Sequence, residues 1–283
     1  MRLVLVHGRS QGRKSEEQLR EEWLPALARG LAAAETELPE HVDVLLPFYG
    51  AELDRLVAAP PAEFVSKGAG GEPDAEEAEL LAALAERAFV TDAEVAAAAD
   101  GEYVEKGIGN WEWVQGLLRA VANRAPWAEE ATLARFVRDV NAYQTRPDVT
   151  AAVDGIVRDA IEGDDAVVVG HSLGSVVTYN VLNTLGGAAR VPLYVTLGSP
   201  LGIPVVKRRL VRPLGMPGGV AHWLNAADER DFVALYSRLD RDTFPATIEN
   251  LSDVHNPPDD AHGIAGYLSD PLVAGPIAAA LRG

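Results

Sequence analysis

The chain has no cysteine. That absence excludes disulfides, thiolate nucleophiles and cysteine-held zinc or iron–sulfur centres. Long apolar runs are missing too, and none approaches the roughly 20 residues that cross a bilayer. The opening Leu3-Val4-Leu5-Val6 is too short for a signal-peptide core, and polar residues soon follow it. A cytoplasmic protein is the expectation. Basic residues are scarce: 25 Lys and Arg face 42 Asp and Glu, a formal charge of −17 over 283 residues. Nucleic-acid binding needs a basic surface against phosphate, which this balance does not supply. Broad adsorption to anionic lipid is disfavoured for the same reason. No cluster of His, Asp and Glu has metal-ligand spacing, and no glycine-rich loop fits a nucleotide phosphate. No cofactor and no metal are expected.

What is present reads as alternating strands and helices. Arg2 to Val6 forms a buried strand that runs into His7-Gly8-Arg9-Ser10-Gln11-Gly12. Ser15 with Gln18 makes a capping box, and Leu19, Trp23, Leu27 and Leu31 follow at helical spacing. His41 to Phe48 is β-branched and closed by Pro and Gly, so it reads as a second strand. Strand, helix, strand in that order implies a parallel sheet.

From 51 to 147 the pattern becomes helical. Thr91 and Glu94 make another capping box, and Trp111, Val114, Leu117, Leu118 and Val121 share one helical face. Leu133, Phe136, Val137 and Val140 share another. This stretch holds 18 acidic and 9 basic residues, about half the total charge. The rhythm then resumes with a helix over 148–161 and strands at Ala166–Val169, Leu193–Leu197 and Val220–Leu224. A further strand is expected near Ala246–Asn250 and a closing helix over Val273–Leu281. The expected fold is α/β: a doubly wound, mostly parallel sheet. Residues 1–50 and 148–283 would form its core, and 51–147 an inserted helical lid.

One segment carries chemistry. Gly170-His171-Ser172-Leu173-Gly174 follows four apolar strand residues directly and precedes a helical pattern directly. A serine there sits on a sharp strand-to-helix turn, and small neighbours are needed to avoid collision. The turn lifts the hydroxyl above the carboxyl edge of the sheet, where ligands of open α/β sheets bind. Backbone N–H groups at the helix start favour a developing oxyanion.

With this elbow the sequence resembles the lipase and esterase branches of the α/β-hydrolase superfamily, over about 1–50 and 148–283. The resemblance implies that Ser172 is the nucleophile and that the N–H of Leu173 is one oxyanion donor. It implies that His7-Gly8 opens the loop giving the second donor, Arg9 or Ser10. Leu197-Gly198-Ser199-Pro200-Leu201 is lipase-like as well. A weak serine nucleophile needs a base, and the base an orienting acid. The superfamily orders them serine, acid, histidine. His222 lies in a strand pattern, leaving His262 and His255, and His262 resembles the family's late histidine ahead of the closing helix. Asp231 before Phe232-Val233 is the favoured acid, with Asp228 as its rival; either residue type also caps helices.

Lys207-Arg208-Arg209 would serve a substrate anion or merely a solvated turn. Trp111, Trp113 and Trp127 would line an acyl channel or fill a core. The implied activity is hydrolysis of a carboxylic ester in a small acyl substrate. Thioesterase, acyltransferase, peptidase and non-catalytic binding readings all remain open.

Overall fold

The computed structural model describes residues 1–8, 14–58, 75–99, 111–124 and 130–283, the side chains of 111, 112 and 130 excepted. Six strands form one parallel sheet: β1 (Arg2–Val6), β2 (Asp43–Leu45), β3 (Ala166–His171), β4 (Val191–Leu197), β5 (Val220–Ala226) and β6 (Glu249–Leu251). Their order across the sheet is β2-β1-β3-β4-β5-β6. The chain therefore winds outward in both directions from the β1–β3 pair. At such a reversal the loops leaving the two strands diverge and open a crevice at their carboxyl ends.

Both faces of the sheet are covered, as parallel sheets require. Alternate residues go to opposite sides, following the two-residue period of a strand. Leu3, Leu5, Val167, Val169, Val195 and Leu224 join one apolar cluster. It is completed by α1 (Glu16–Ala33), α10 (Ile264–Ser269) and α11 (Pro271–Arg282). Val4, Val6, Ala166, Val168, Tyr194 and Trp223 join the other, beneath α7 (Pro147–Ile161) and α8 (Leu173–Leu185). Each fully buried Val or Leu contributes roughly 1.5–3 kcal/mol to folding, so the two layers carry most of the stability.

Both expected capping boxes are made. Ser15 and Gln18 exchange side-chain and backbone bonds at the start of α1. Thr91 and Glu94 do the same for α4 (Asp92–Ala98). The second strand is shorter than its sequence pattern, three residues in place of eight. Among the described strands it sits at the sheet edge, paired with β1.

Between β2 and β3 run α2 (Gly50–Ala58), α3 (Ala75–Arg87), α4, α5 (Trp111–Arg124) and α6 (Glu130–Thr145). Their apolar residues, among them Leu53, Leu81, Leu84, Val114, Val121 and Phe136, belong to the same cluster as Val4 and Val168. The inserted helices thus extend the core on one face of the sheet. No helix among the described residues is long and apolar enough to cross a membrane.

Candidate functional site

Ser172 lies where β3 ends and α8 begins, with φ 54° and ψ −127°. A positive φ is uncommon for a residue with a Cβ and costs on the order of 1–3 kcal/mol, so the surroundings must impose it. Its N–H donates to Leu197 O at the end of β4 (3.0 Å). Its carbonyl accepts from Ser175 N–H (2.9 Å) and Ser175 Oγ (2.6 Å). Ser199 Oγ lies 2.7 Å from Ser175 Oγ and completes the brace.

The two glycines of the elbow are needed for close approach. A Cβ on Gly174 would run into the carbonyl oxygens of Val6 and His7 at the end of β1. One on Gly170 would lie 2.6 Å from Thr178 Oγ1 and 2.8 Å from Gly174 O. Gly8 meets Ser172 itself, since a Cβ there would sit 2.5 Å from Ser172 Cβ. The loop leaving β1 therefore presses on Ser172, which is only 2% exposed.

That loop is tied down through His7. Tyr49 N–H donates to His7 Nε2 (3.2 Å), so the ring proton of the neutral imidazole is on Nδ1 and donates to Gly8 O (2.7 Å). The Tyr49 hydroxyl bonds His7 O. Tyr49 directly precedes α2, so the root of the inserted helices is anchored beside Gly8.

His262 Nδ1 donates to Asp231 Oδ2 at 2.8 Å, across 31 residues of chain. In the neutral ring this leaves Nε2 without a proton, the form a general base needs. The pair lies next to the elbow. His171 Nε2 is 2.9 Å from His262 O, and a carbonyl only accepts, so His171 donates. The two rings are 4.7 Å apart. Burial pushes the His171 imidazole well below its ordinary range, and the charges of His262 and His7 act in the same sense. It remains a neutral tether. Gly198, the residue after β4, has φ 54°, and a Cβ on it would lie 2.7 Å from Asp231 Oδ2 and 3.1 Å from His262 Nδ1.

Asp228, the rival acid, faces elsewhere. Its carboxylate accepts from Arg230 N (2.8 Å), Nε (3.0 Å) and Nη2 (2.6 Å), and from Asn256 N (2.7 Å). Burial opposes its ionisation, but these donors outweigh burial and hold the carboxyl below its usual range. Asn256 in turn donates to Ala261 O (2.9 Å) and Gly263 O (3.2 Å), on either side of His262. Asp228 is thus a clasp for the histidine loop. His255 and His222 are both exposed.

The remaining sequence candidates divide. Lys207 bonds Thr243 O, Arg208 pairs with Glu79 at 2.6 Å, and Arg209 pairs with Glu76. The two arginines of the run therefore join the end of α9 (Pro204–Arg208) to α3. Trp113 is buried in the apolar cluster of the inserted helices. Arg9, Ser10, Trp127 and the side chain of Trp111 lie outside the described residues. Leu173 is the first residue of α8, so its N–H has no intrahelical acceptor and points from the helix start. Among the described residues no group of His, Asp and Glu could hold a metal ion.

Sequence reasoning passed over Tyr267, His171 as a tether, and the Ser175–Ser199 brace. His171 and Ser199 stand within the two motifs and Tyr267 five residues after His262, but their partners lie 91, 24 and 36 residues away along the chain. Comparison with models of known protein families, with curated proteins and with solved structures gave no match.

Proposed function

We propose that this chain is a serine hydrolase of the α/β-hydrolase type that cleaves carboxylic esters through an acyl-enzyme. The observation that carries the reading is a pair of features held one residue apart. A serine sits in a strained β3–α8 turn, and the residue before it tethers the histidine that bonds the buried Asp231 carboxylate.

In the proposed reaction Ser172 Oγ attacks the ester carbonyl while His262 Nε2 accepts its proton. Asp231 holds the ring and favours the imidazolium as it forms. The oxyanion is received by the N–H of Leu173, with Arg9 supplying the second donor. His262 then returns the proton to the leaving alcohol. Water repeats the sequence on the acyl-enzyme and frees Ser172.

The inserted helices are the proposed lid. Tyr49 roots them beside His7, Gln144 donates to Val206 O (2.9 Å), and Arg87 donates to Leu235 O (3.2 Å). They therefore touch segments that follow the carboxyl ends of β1, β4 and β5, the edge where Ser172 lies.

An active-site fluorophosphonate probe tests the reading, because it labels only an activated serine. Covalent labelling mapped to Ser172, together with turnover of short activated esters, is the expected result. A folded protein that neither labels nor turns over esters would leave a binding module. Ester, thioester and amide panels then separate the esterase from thioesterase, acyltransferase and peptidase activities that share the acyl-enzyme.

A further inference from the structure

Asp231 receives more than the histidine. Its Oδ1 accepts from the N–H groups of Val233 (2.9 Å) and Ala234 (3.3 Å). Its Oδ2 accepts from His262 Nδ1 and from the Tyr267 hydroxyl, each at 2.8 Å. Tyr267 is fully buried on α10. The direction of its hydroxyl is forced, because Asp228 N–H donates to the phenol oxygen at 2.9 Å. The phenol has one proton, and that proton is left for Asp231. Burial, reinforced by the charge of Asp231, raises the phenol well above its ordinary value, so Tyr267 stays a donor throughout the working range.

We propose that Tyr267 is a positioning residue that sets how strongly Asp231 acts on His262. This rests on the reading of Ser172, Asp231 and His262 as nucleophile, acid and base. The hydroxyl shares Oδ2 with the imidazole N–H, so it fixes the rotation of the carboxylate and draws off part of the charge the ring would feel. It also links the two acids, since one phenol bonds the backbone of Asp228 and the side chain of Asp231.

The other ionisable groups around the pair come from several elements. Neutral His171 at the end of β3 faces His262, and His7 at the end of β1 faces His171 in turn. Asp260 in the histidine loop interacts with His262, Asp231 and Glu22 of α1. Arg230 is paired with Asp228. None of these donates a hydrogen bond to Oδ2, which distinguishes Tyr267.

The sign follows from charge. Without the hydroxyl, more negative charge on Oδ2 faces the ring and favours imidazolium, so the acid limb of kcat/KM moves to higher pH. A stronger donor moves it to lower pH. The experiment measures kcat/KM for a 4-nitrophenyl ester from about pH 5 to 9. It compares the wild-type protein, Tyr267→Phe, and protein carrying 3-fluorotyrosine at position 267. Fluorination keeps both hydrogen bonds and makes the phenol a better donor, so this protein serves even if Tyr267→Phe does not fold.

Expected is an upward shift of about half a pH unit or more for Tyr267→Phe, with kcat lowered about tenfold, and a smaller downward shift for the fluorinated protein. A residue that only fills space would lower turnover equally at every pH and move neither limb. An active wild-type enzyme whose limb stays put in both variants would overturn the proposal alone. A wild-type protein that neither labels nor turns over would overturn the reading of the site, and this proposal with it.

Discussion

The edge around Ser172 and the inserted helices are held together differently. At the edge, buried hydrogen bonds specify each backbone turn: Ser172 to Leu197 and Ser175, His171 to His262, and Asn256 to both sides of His262. In the helices between β2 and β3 an apolar cluster predominates, with buried polar links at Tyr49 and Tyr143, where they join the core, and half-exposed ones such as Arg208–Glu79 farther out. Apolar contact is non-directional and tolerates small displacements, whereas a buried hydrogen bond does not. Directional bonds thus concentrate around Ser172 and His262, and apolar filling in the helices between β2 and β3.

The sharpest way to break that contrast is at Ser172, the proposed nucleophile. Ser172→Ala should lose fluorophosphonate labelling and at least about 1,000-fold in ester turnover while remaining folded. Ser172→Gly should be equally inactive yet more stable, by about 1 kcal/mol, because glycine tolerates the positive φ. Denaturation of the two variants measures the strain. A glycine variant no more stable than the alanine one would mean that the turn stores none.

The two acids come next. Asp231→Asn should cost roughly 100- to 10,000-fold in kcat, since the histidine loses the carboxylate that orients it. It should cost about 1–3 kcal/mol of stability as well, because an amide in place of the buried carboxylate sets a donor against the donors that the carboxylate accepts from. Asp228→Asn should differ in kcat. It weakens bonds to Arg230 and Asn256 and should lower stability by about 1–3 kcal/mol, with most of the turnover retained in folded protein. Paired kcat and chemical-denaturation measurements decide it, and the opposite ranking would move the acid to Asp228.

A milder effect is expected where the insertion joins the core. Tyr143 on α6 donates to Asp154 on α7 (2.7 Å) and accepts from Asn180 on α8 (3.1 Å). Burial raises the Asp154 carboxyl from 3.8 to about 6. The folded state therefore holds this proton more tightly than the unfolded state, and stability falls as pH rises from about 4 through 6. Asp154→Asn, still able to accept from Tyr143, should stabilise the protein at neutral pH by about 1–2 kcal/mol, allowing for solvent screening at this half-buried side chain. Melting curves at pH 5 and pH 8 test the sign, because the gain must be larger at pH 8. The smallest effect belongs to Arg208→Ala. Its ion pair with Glu79 is solvent-exposed, so Tm should move by no more than about two degrees and turnover should be unchanged.

Much of this was legible along the chain, for local reasons. Both capping boxes depend on residues three apart, and the buried strands depend on apolar runs bounded by turn residues. The elbow was readable because its strand, turn and helix are contiguous. The edge strand β2 was overestimated, since its apolar residues also pack on neighbours outside the ladder. α9 and α10 passed unnoticed, being five and six residues long, too short for a helical period to show. Lys207-Arg208-Arg209 gave no sign that it would pair with α3, because its acidic partners Glu79 and Glu76 lie about 130 residues away.

By itself the sequence determined an α/β chain with a parallel sheet and a serine at a strand-to-helix turn. It also favoured Asp231 over Asp228 as the candidate acid and His262 over His255 as the candidate base. Which of the two carboxylates meets His262 depended on the tertiary structure. The two lie in one turn, with Asp231 N–H on Asp228 O at 2.9 Å, yet their side chains leave it toward different neighbours. One meets Arg230 and Asn256, the other His262, Gly198 and Tyr267. Those neighbours come from the end of β4, the histidine loop and α10. They converge only because the sheet stacks its carboxyl ends side by side, an arrangement that no run of neighbouring residues encodes.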